Sequence, residues 1–558
     1  MTDQLTAIAD MSTGARRVLD EVEAAFQSAV AAVSKRCERG GRLDNGLLDQ
    51  YQWASYELAL GHAELLASRQ VLDARDGTLD LRLGLAFVAE AVRSVLSRLD
   101  GIYLSVDLPA DGLATIQASD ALRQLRKQAG TPEALAKLGA DVADTGADDL
   151  GQVDVDDQTA LAGDAFRRFA EDVVVPLAEE IHRKDLTVPE SLLGPMREMG
   201  VFGLSIPEQF GGASPADGEN TPMMIAVTEA LSEASLAAAG SLITRPEILT
   251  RALLAGGTQE QKERWLPRIA EGNPLCAIAI TEPDYGSDAA SLSLRGTKTE
   301  GGWLLNGAKT WCTFAGKAGL VMVVTRTNPD RSLGHKGLSL LLVEKPSFDG
   351  HEFRFEQEKG GVLTGRAIPT IGYRGMHSFD LTFEDFFVPD ANVVGEEAGL
   401  GRGFYLTMAG MTGGRIQTAG RALGVMRAGL KAAIRYAQER KVFGAPLVEY
   451  QLTQIKIAQM AARFVACRFL AFAVGRMLDE GQGRVEASLV KLIACRSAEI
   501  ITREALQIHG GMGYAEEMPV SRYWIDARVL SIFEGAEETL ALKIIARDLL
   551  QGALPEAA

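Results

Sequence analysis

One acid in this chain sits where an acid can act as a base. In Ser531-Ile532-Phe533-Glu534-Gly535-Ala536-Glu537-Glu538, Glu534 follows two bulky apolar residues and precedes a glycine. The glycine lets the backbone turn sharply just after the acid. Glu537 and Glu538 then open a further helix, where acids suit the helix dipole. A carboxylate on a bend between apolar helices can be held dry with a raised pKa, as a general base near neutral pH requires. The plainer reading of a lone Glu is a solvated loop acid, and the rest of the chain decides between the two.

Four other stretches combine reactive or ligand-binding types. Thr281-Glu282-Pro283-Asp284-Tyr285-Gly286-Ser287-Asp288 offers hydroxyls and backbone N–H groups around a glycine, suited to a planar heterocycle and a phosphate, or simply to a polar turn. In Asn306-Gly307-Ala308-Lys309-Thr310-Trp311-Cys312-Thr313, strand alternation predicts Trp311 and Thr313 on one face, an aromatic surface beside a hydroxyl. Arg440, in Glu439-Arg440-Lys441-Val442-Phe443-Gly444, either binds pyrophosphate or only complements a helix C-terminus. Gln507-Ile508-His509-Gly510-Gly511-Met512-Gly513-Tyr514 ends a helix with glycines, Gly511 among them, that permit close backbone approach to a ligand or cap the helix. Neither GxGxxG nor GxxxxGK[ST] occurs, so dinucleotide and P-loop folds gain no support.

The periodicity that must position these residues predicts an α+β chain, mainly α, in four parts: 1–150, 151–275, 276–398 and 399–558. The first is a helical N-terminal extension, with Leu85, Val88, Val92 and Val95 on one stripe. It ends in an acidic, Gly-containing run, Asp141 to Asp157, read as a solvated linker. The second part is helical. The third alternates at period two, with a hairpin at Glu300-Gly301-Gly302, and reads as a mostly antiparallel β domain. The fourth is a helical bundle whose seam includes Ile457, Met460, Phe464, Cys467, Ala471 and Val474.

At 558 residues the chain exceeds one core, and a net charge of -17 argues against nucleic acid or an anionic membrane as partner. The five scattered cysteines show no metal spacing, so no metal is expected and a reducing compartment is. No basic, apolar leader opens the chain and no uncharged run reaches the ~18 residues of a membrane span, so a soluble cytoplasmic protein is expected.

TEPxxGSD, WCT, ERKxFG, QIHGGMGY and FEG, in this order over about residues 158–550, resemble the acyl-CoA dehydrogenase family. The resemblance implies a helical domain, an antiparallel β domain and a C-terminal four-helix bundle, assembled as a homo-oligomer, dimer or tetramer, with one FAD per subunit. It implies that Thr281, Ser287, Trp311 and Thr313 contact the flavin. Arg440, Phe443, Gln451 and Gln507 match positions that touch a neighbouring subunit's FAD, and Gly511 is counted with them. Glu534 matches the base. Relatives that carry the base elsewhere place it just before the residue matching Arg415, and here that residue is Gly414. Ser287, Thr412, Arg415 and Gly535 are the implied substrate contacts, Thr412 standing where Asp often meets CoA. Ala536 and Glu538 depart from the family pattern of Thr and Gln.

The implied reaction is removal of the α-proton of a CoA thioester by Glu534 with β-hydride transfer to flavin N5. The Glu534 N–H and a flavin ribityl hydroxyl would stabilise the enolate-like oxygen, and an electron-transfer flavoprotein would accept the electrons. The length and the extension resemble members acting on a short branched dicarboxylic acyl-CoA, (2S)-methylsuccinyl-CoA giving mesaconyl-CoA. Such a substrate needs a cation at the end of its pocket. Arg245 is the candidate, against a surface ion pair with Glu247. The alternatives are a plain short or branched-chain acyl-CoA, an oxygen-using flavoenzyme, and a DNA-binding relative of the fold.

Overall fold

The computed structural model describes residues 2–74, 78–215 and 220–555. It contains two compact units, residues 1–157 with 422–558, and residues 158–421.

The first unit is almost wholly helical. Its N-terminal part contains the helices Thr2–Arg36, Gln52–Val71, Leu79–Ser105 and Pro132–Thr145. Thr78 and Thr131 cap two of these, accepting the Leu81 and Ala134 N–H groups. The helix Gly403–Glu439 enters this unit at Ala422, followed by Gln451–Asp479, Arg484–His509 and Val520–Val529. The seam read from sequence is the core of this bundle, for Ile457, Met460, Phe464, Cys467, Ala471 and Val474 are all buried. Gln451–Asp479 is long and apolar enough to cross a membrane by length and composition alone, although it carries Lys456, Arg463, Arg468 and Arg476 and so is not an uncharged run. Of its most apolar window 72% is buried, because this helix packs against both the extension and the bundle. The backbones come close at Gly139, where a Cβ would fall 1.9 Å from the Gln454 carbonyl oxygen.

The expected solvated linker is not one. Residues 141–145 complete the helix Pro132–Thr145, and Ala147 and Leu150 are buried. The buried Asp80 accepts the Gly151 and Gln152 N–H groups at 2.8 and 2.7 Å, Arg427 donates to the Ala147 carbonyl, and Lys431 pairs with Asp148. Basic side chains of the bundle thus neutralise an acidic run that sequence alone reads as hydrated.

In the second unit, helices including Thr221–Ala234, Thr244–Gly256 and Gln259–Ala270 precede an eight-stranded sheet. Its order is Cys276–Ala279, Leu320–Arg326, Arg295–Thr299, Gly302–Thr313, Ser378–Pro389, Val362–Ala367 and Glu352–Glu356, with Leu338–Glu344 also paired to Leu320–Arg326. The expected hairpin is present, Thr299 facing Gly302 across Gly301 at φ 71°. Alternation sorts the central strand between two cores. Leu320, Met322 and Val324 join Trp265 and Ile248, while Val321 and Val323 join Phe383 and Leu341. The sequence reading did not single out the strands Glu352–Glu356 and Val362–Ala367, although Glu352-Phe353-Arg354-Phe355-Glu356 alternates strictly over its five residues.

Candidate active site

Glu534 sits on a loop in the first unit that one helix holds from below. Glu534 itself has φ 55°, and Gly535 has φ 98°, so the bend begins at the acid and not only after it. A side-chain residue in that region is strained, and such strain persists where surrounding contacts enforce it. Here the contacts come from Arg484–His509. Lys491 is buried, and its ammonium donates to the Phe533 carbonyl at 2.5 Å and to the Gly535 carbonyl, those of the two residues flanking the acid. Glu499 accepts from the Ser531 hydroxyl at 2.6 Å, and Arg496 pairs with Glu537 at 2.5 Å. The Glu537 N–H donates to the Ser531 carbonyl at 3.0 Å and closes the loop. Glu534 is half-buried, Glu537 and Glu538 lie in the first turn of the short helix Glu537–Leu540 as the sequence predicts, and Glu538 is exposed. The sequence reading missed Lys491. Its signal is a lone cation in the apolar run Leu489-Val490-Lys491-Leu492-Ile493.

Arg440, Phe443, Gln451, Gln507 and Gly511 lie in the same unit and all are exposed. Tyr436 stacks on His509 with ring centroids 4.2 Å apart, bringing the ends of two helices, and with them Arg440 and Gln507, to one region. Phe443 sits at φ 49° on the two-residue hairpin joining Lys441–Val442 to Ala445–Pro446, and its ring is 99% exposed.

In the second unit, a buried ion pair anchors the loop after the first strand. Lys309 and Glu282 meet at 2.8 Å and are 0% and 4% exposed. Lys309 also donates to the Ile280 carbonyl, and Glu282 accepts from the Ser293 N–H, the Ser293 hydroxyl and the Leu294 N–H. Burial pulls the Glu282 carboxyl upward, but Lys309 and these donors outweigh it and hold the group below the usual range. Thr281, beside it, accepts the Thr310 N–H at 2.9 Å, which ties the Thr281–Asp288 loop to the strand bearing Trp311. Ser287 is exposed on that loop.

The alternation expected of Trp311 and Thr313 fails. Asp380 alone stands opposite Thr310 and Trp311, a β-bulge that puts Trp311 at φ 57° and interrupts period two. Thr313 is buried with its hydroxyl 3.0 Å from that of Ser378, whereas the Trp311 ring is 55% exposed. A bulge re-aims one side chain without disturbing the rest of the strand, and here it presents a broad aromatic surface beside Thr281.

Arg245 and Glu247 are not at the surface. Arg245 is 7% exposed, with Nη1 3.4 Å from both the Ser241 carbonyl and the Tyr373 hydroxyl. Glu247 is buried too, and binds Arg251 and Gln417. A second buried arginine, Arg421, reaches the Ser241 hydroxyl at 3.4 Å. Thr412 and Arg415 are half-buried on the helix Gly403–Glu439, flanking Gly413, whose Cβ would fall 2.2 Å from Glu247 Oε1. The same unit holds one group of possible metal ligands among the described residues, Asp185, His351 and His377, within 4.8 Å of one another. Arg374 lies 3.2 Å from the Asp185 carboxylate, so that charge is already neutralised by a guanidinium.

Family models for the acyl-CoA dehydrogenase N-terminal, middle and C-terminal domains match residues 156–273, 277–386 and 401–550. The chain belongs to the acyl-CoA dehydrogenase family. It is 36% identical to (2S)-methylsuccinyl-CoA dehydrogenase of Cereibacter sphaeroides over 97% of this chain and 99% of that protein. Butyryl-CoA dehydrogenase of Megasphaera elsdenii superposes with a TM-score of 0.65 at 29% identity, covering 72% of this chain and all of that one. A glutaryl-CoA dehydrogenase of Mycobacterium smegmatis, solved with FADH2, superposes at 0.62 with 25% identity, over 72% of this chain and 97% of that one. Acyl-CoA dehydrogenases are FAD-dependent oxidoreductases, and this chain is one of them. The middle domain suits that cofactor, for the bulge leaves the Trp311 ring unburied on the strand whose Thr310 N–H binds the Thr281 carbonyl.

Proposed function

We propose that this protein oxidises (2S)-methylsuccinyl-CoA to mesaconyl-CoA, with Glu534 as the base. The observation that carries the substrate is the extent of the likeness. Residues 1–155 lie outside the three family models, yet similarity to the methylsuccinyl-CoA enzyme runs through them, over 97% of the chain. The buried arginines Arg245 and Arg421 are the cations suited to a second substrate carboxylate.

Bound FAD, held through Thr281, Ser287, Trp311 and Thr313, supplies the acceptor for the hydride leaving the β-carbon. The Glu534 carboxylate takes the α-proton and becomes the neutral acid. The Glu534 N–H, fixed by the left-handed bend, donates to the thioester oxygen as negative charge grows there. The Lys491 clasp holds that peptide still, so little reorganisation accompanies the reaction. Arg440, Phe443, Gln451, Gln507 and Gly511 complete a neighbouring subunit's FAD site in a homo-oligomer, and an electron-transfer flavoprotein re-oxidises the enzyme.

Anaerobic flavin bleaching against a panel of CoA thioesters tests this reading. Wild type bleaches fastest with (2S)-methylsuccinyl-CoA. Glu534→Gln stays yellow and loses bleaching by several orders of magnitude, about the 10⁴-fold scale of a displaced general base. Faster bleaching with butyryl- or isobutyryl-CoA would overturn the substrate, and wild-type bleaching by Glu534→Gln would overturn the base.

A further inference from the structure

We infer that Tyr56, in the N-terminal extension, is a positioning residue for the loop bearing Glu534 and acts through Glu537. The inference rests on Glu534 being the base. The Tyr56 hydroxyl donates to Glu537 Oε1, the same oxygen that Arg496 approaches at 2.5 Å, and Arg496 Nη1 also lies 3.2 Å from the Tyr56 oxygen. Tyrosine, arginine and carboxylate form a closed triangle at the end of the loop. The Glu537 N–H is the group that closes this loop on the Ser531 carbonyl, three residues after Glu534. The other side chains that hold the loop, Lys491, Arg496 and Glu499, come from one helix of the bundle. Tyr56 supplies a hold from a second direction and from a part of the chain outside the family models.

The hydroxyl is suited to this role. Burial and the adjacent Glu537, with Glu538 contributing, push its pKa up to about 12, so it remains a hydrogen donor throughout the neutral range. A role confined to docking the extension is separable, because docking has other anchors. Arg463 pairs with Glu90, and Gly139 packs on Gln454. A cavity of about 690 Å³ between these helices, reaching Arg496, is lined in part by charges that pair with one another, Arg98 with Glu57 and Arg463 with Glu90.

The test is Tyr56→Phe in the full-length, FAD-loaded enzyme, which keeps the ring and removes the hydrogen bond. KM stays within about twofold, kcat falls about tenfold, and the acid limb of the kcat/KM pH profile moves, because a loosened loop places the base differently. Glu537→Gln gives a loss of similar size, and the double variant loses no more than either single one. Wild-type kcat and pH profile in Tyr56→Phe would overturn the inference, as would strictly additive losses in the double variant. Glu534→Gln assayed alongside separates the two failures. If it is inactive while Tyr56→Phe is wild-type, only the role of Tyr56 falls. If it turns over normally, the base assignment itself falls.

Discussion

The Lys491 ammonium lies 2.5 Å from the carbonyl oxygen of Phe533, and the same group binds the Gly535 carbonyl. One buried cation therefore binds the carbonyls of the residues on either side of Glu534. A left-handed residue normally relaxes unless something opposes it, and this clasp opposes it.

Replacing Lys491 by Met keeps the apolar stem and strands two carbonyls. The expected cost is about 2–3 kcal/mol in chemical denaturation, since an abandoned buried acceptor costs its full desolvation. The kcat falls further than stability accounts for, on the order of 10²-fold, with FAD still bound. Denaturation midpoints and steady-state kinetics on one preparation check both.

Glu282 and Lys309 form the buried pair beneath the Thr281–Asp288 loop. Glu282→Gln leaves the ammonium without its counter-ion and is expected to cost about 3–5 kcal/mol. The pair also makes the protein acid-sensitive. The Glu282 carboxyl is held below its ordinary value of 4.5 in the fold, so its stabilisation is fully present above pH 4.5 and is lost as pH falls through the lower folded value. Melting temperatures of wild type and Glu282→Gln should therefore converge as pH drops below 4.5. Parallel curves across that range would contradict the assignment.

Gly139 lets the extension approach the bundle backbone at Gln454. A Cβ there overlaps the Gln454 backbone, which has no side chain to swing away. Gly139→Ala should cost at least about 1–3 kcal/mol through displaced helices, despite the better helix propensity of Ala. An unchanged denaturation midpoint would show that the contact is slack.

Phe443 is a large ring left 99% exposed on a hairpin that holds it at φ 49°. Phe443→Ser should leave the stability of the cofactor-free chain within about 0.5 kcal/mol, as surface changes do. In the assembly proposed above it should weaken FAD retention on gel filtration. Unchanged flavin content would remove Phe443 from the cofactor site.

Much of this protein is determined locally and is therefore readable from residues alone. Period two in residues 320–344 sets which side chains face each core, and the helical seam from Ile457 to Val474 sets the bundle. The bend at Glu534 is written in its neighbours, because the glycine and the acidic helix start are short-range signals. Tertiary structure decided the rest. Trp311 leaves its expected face because a bulge is a property of strand pairing, and Asp380 is 69 residues away in the chain. The acidic run near residue 150 becomes ordered because Arg427 and Lys431 reach it from the far end of the sequence. Glu534 could be recognised as an acid on a bend, and Lys491 as a cation in an apolar run, but not that the one holds the other. Lys491 lies 42 residues before Phe533, and Tyr56 is 481 residues from Glu537. Contacts at such separations leave no periodic trace in the sequence, since only the folded backbone brings their partners within hydrogen-bond reach.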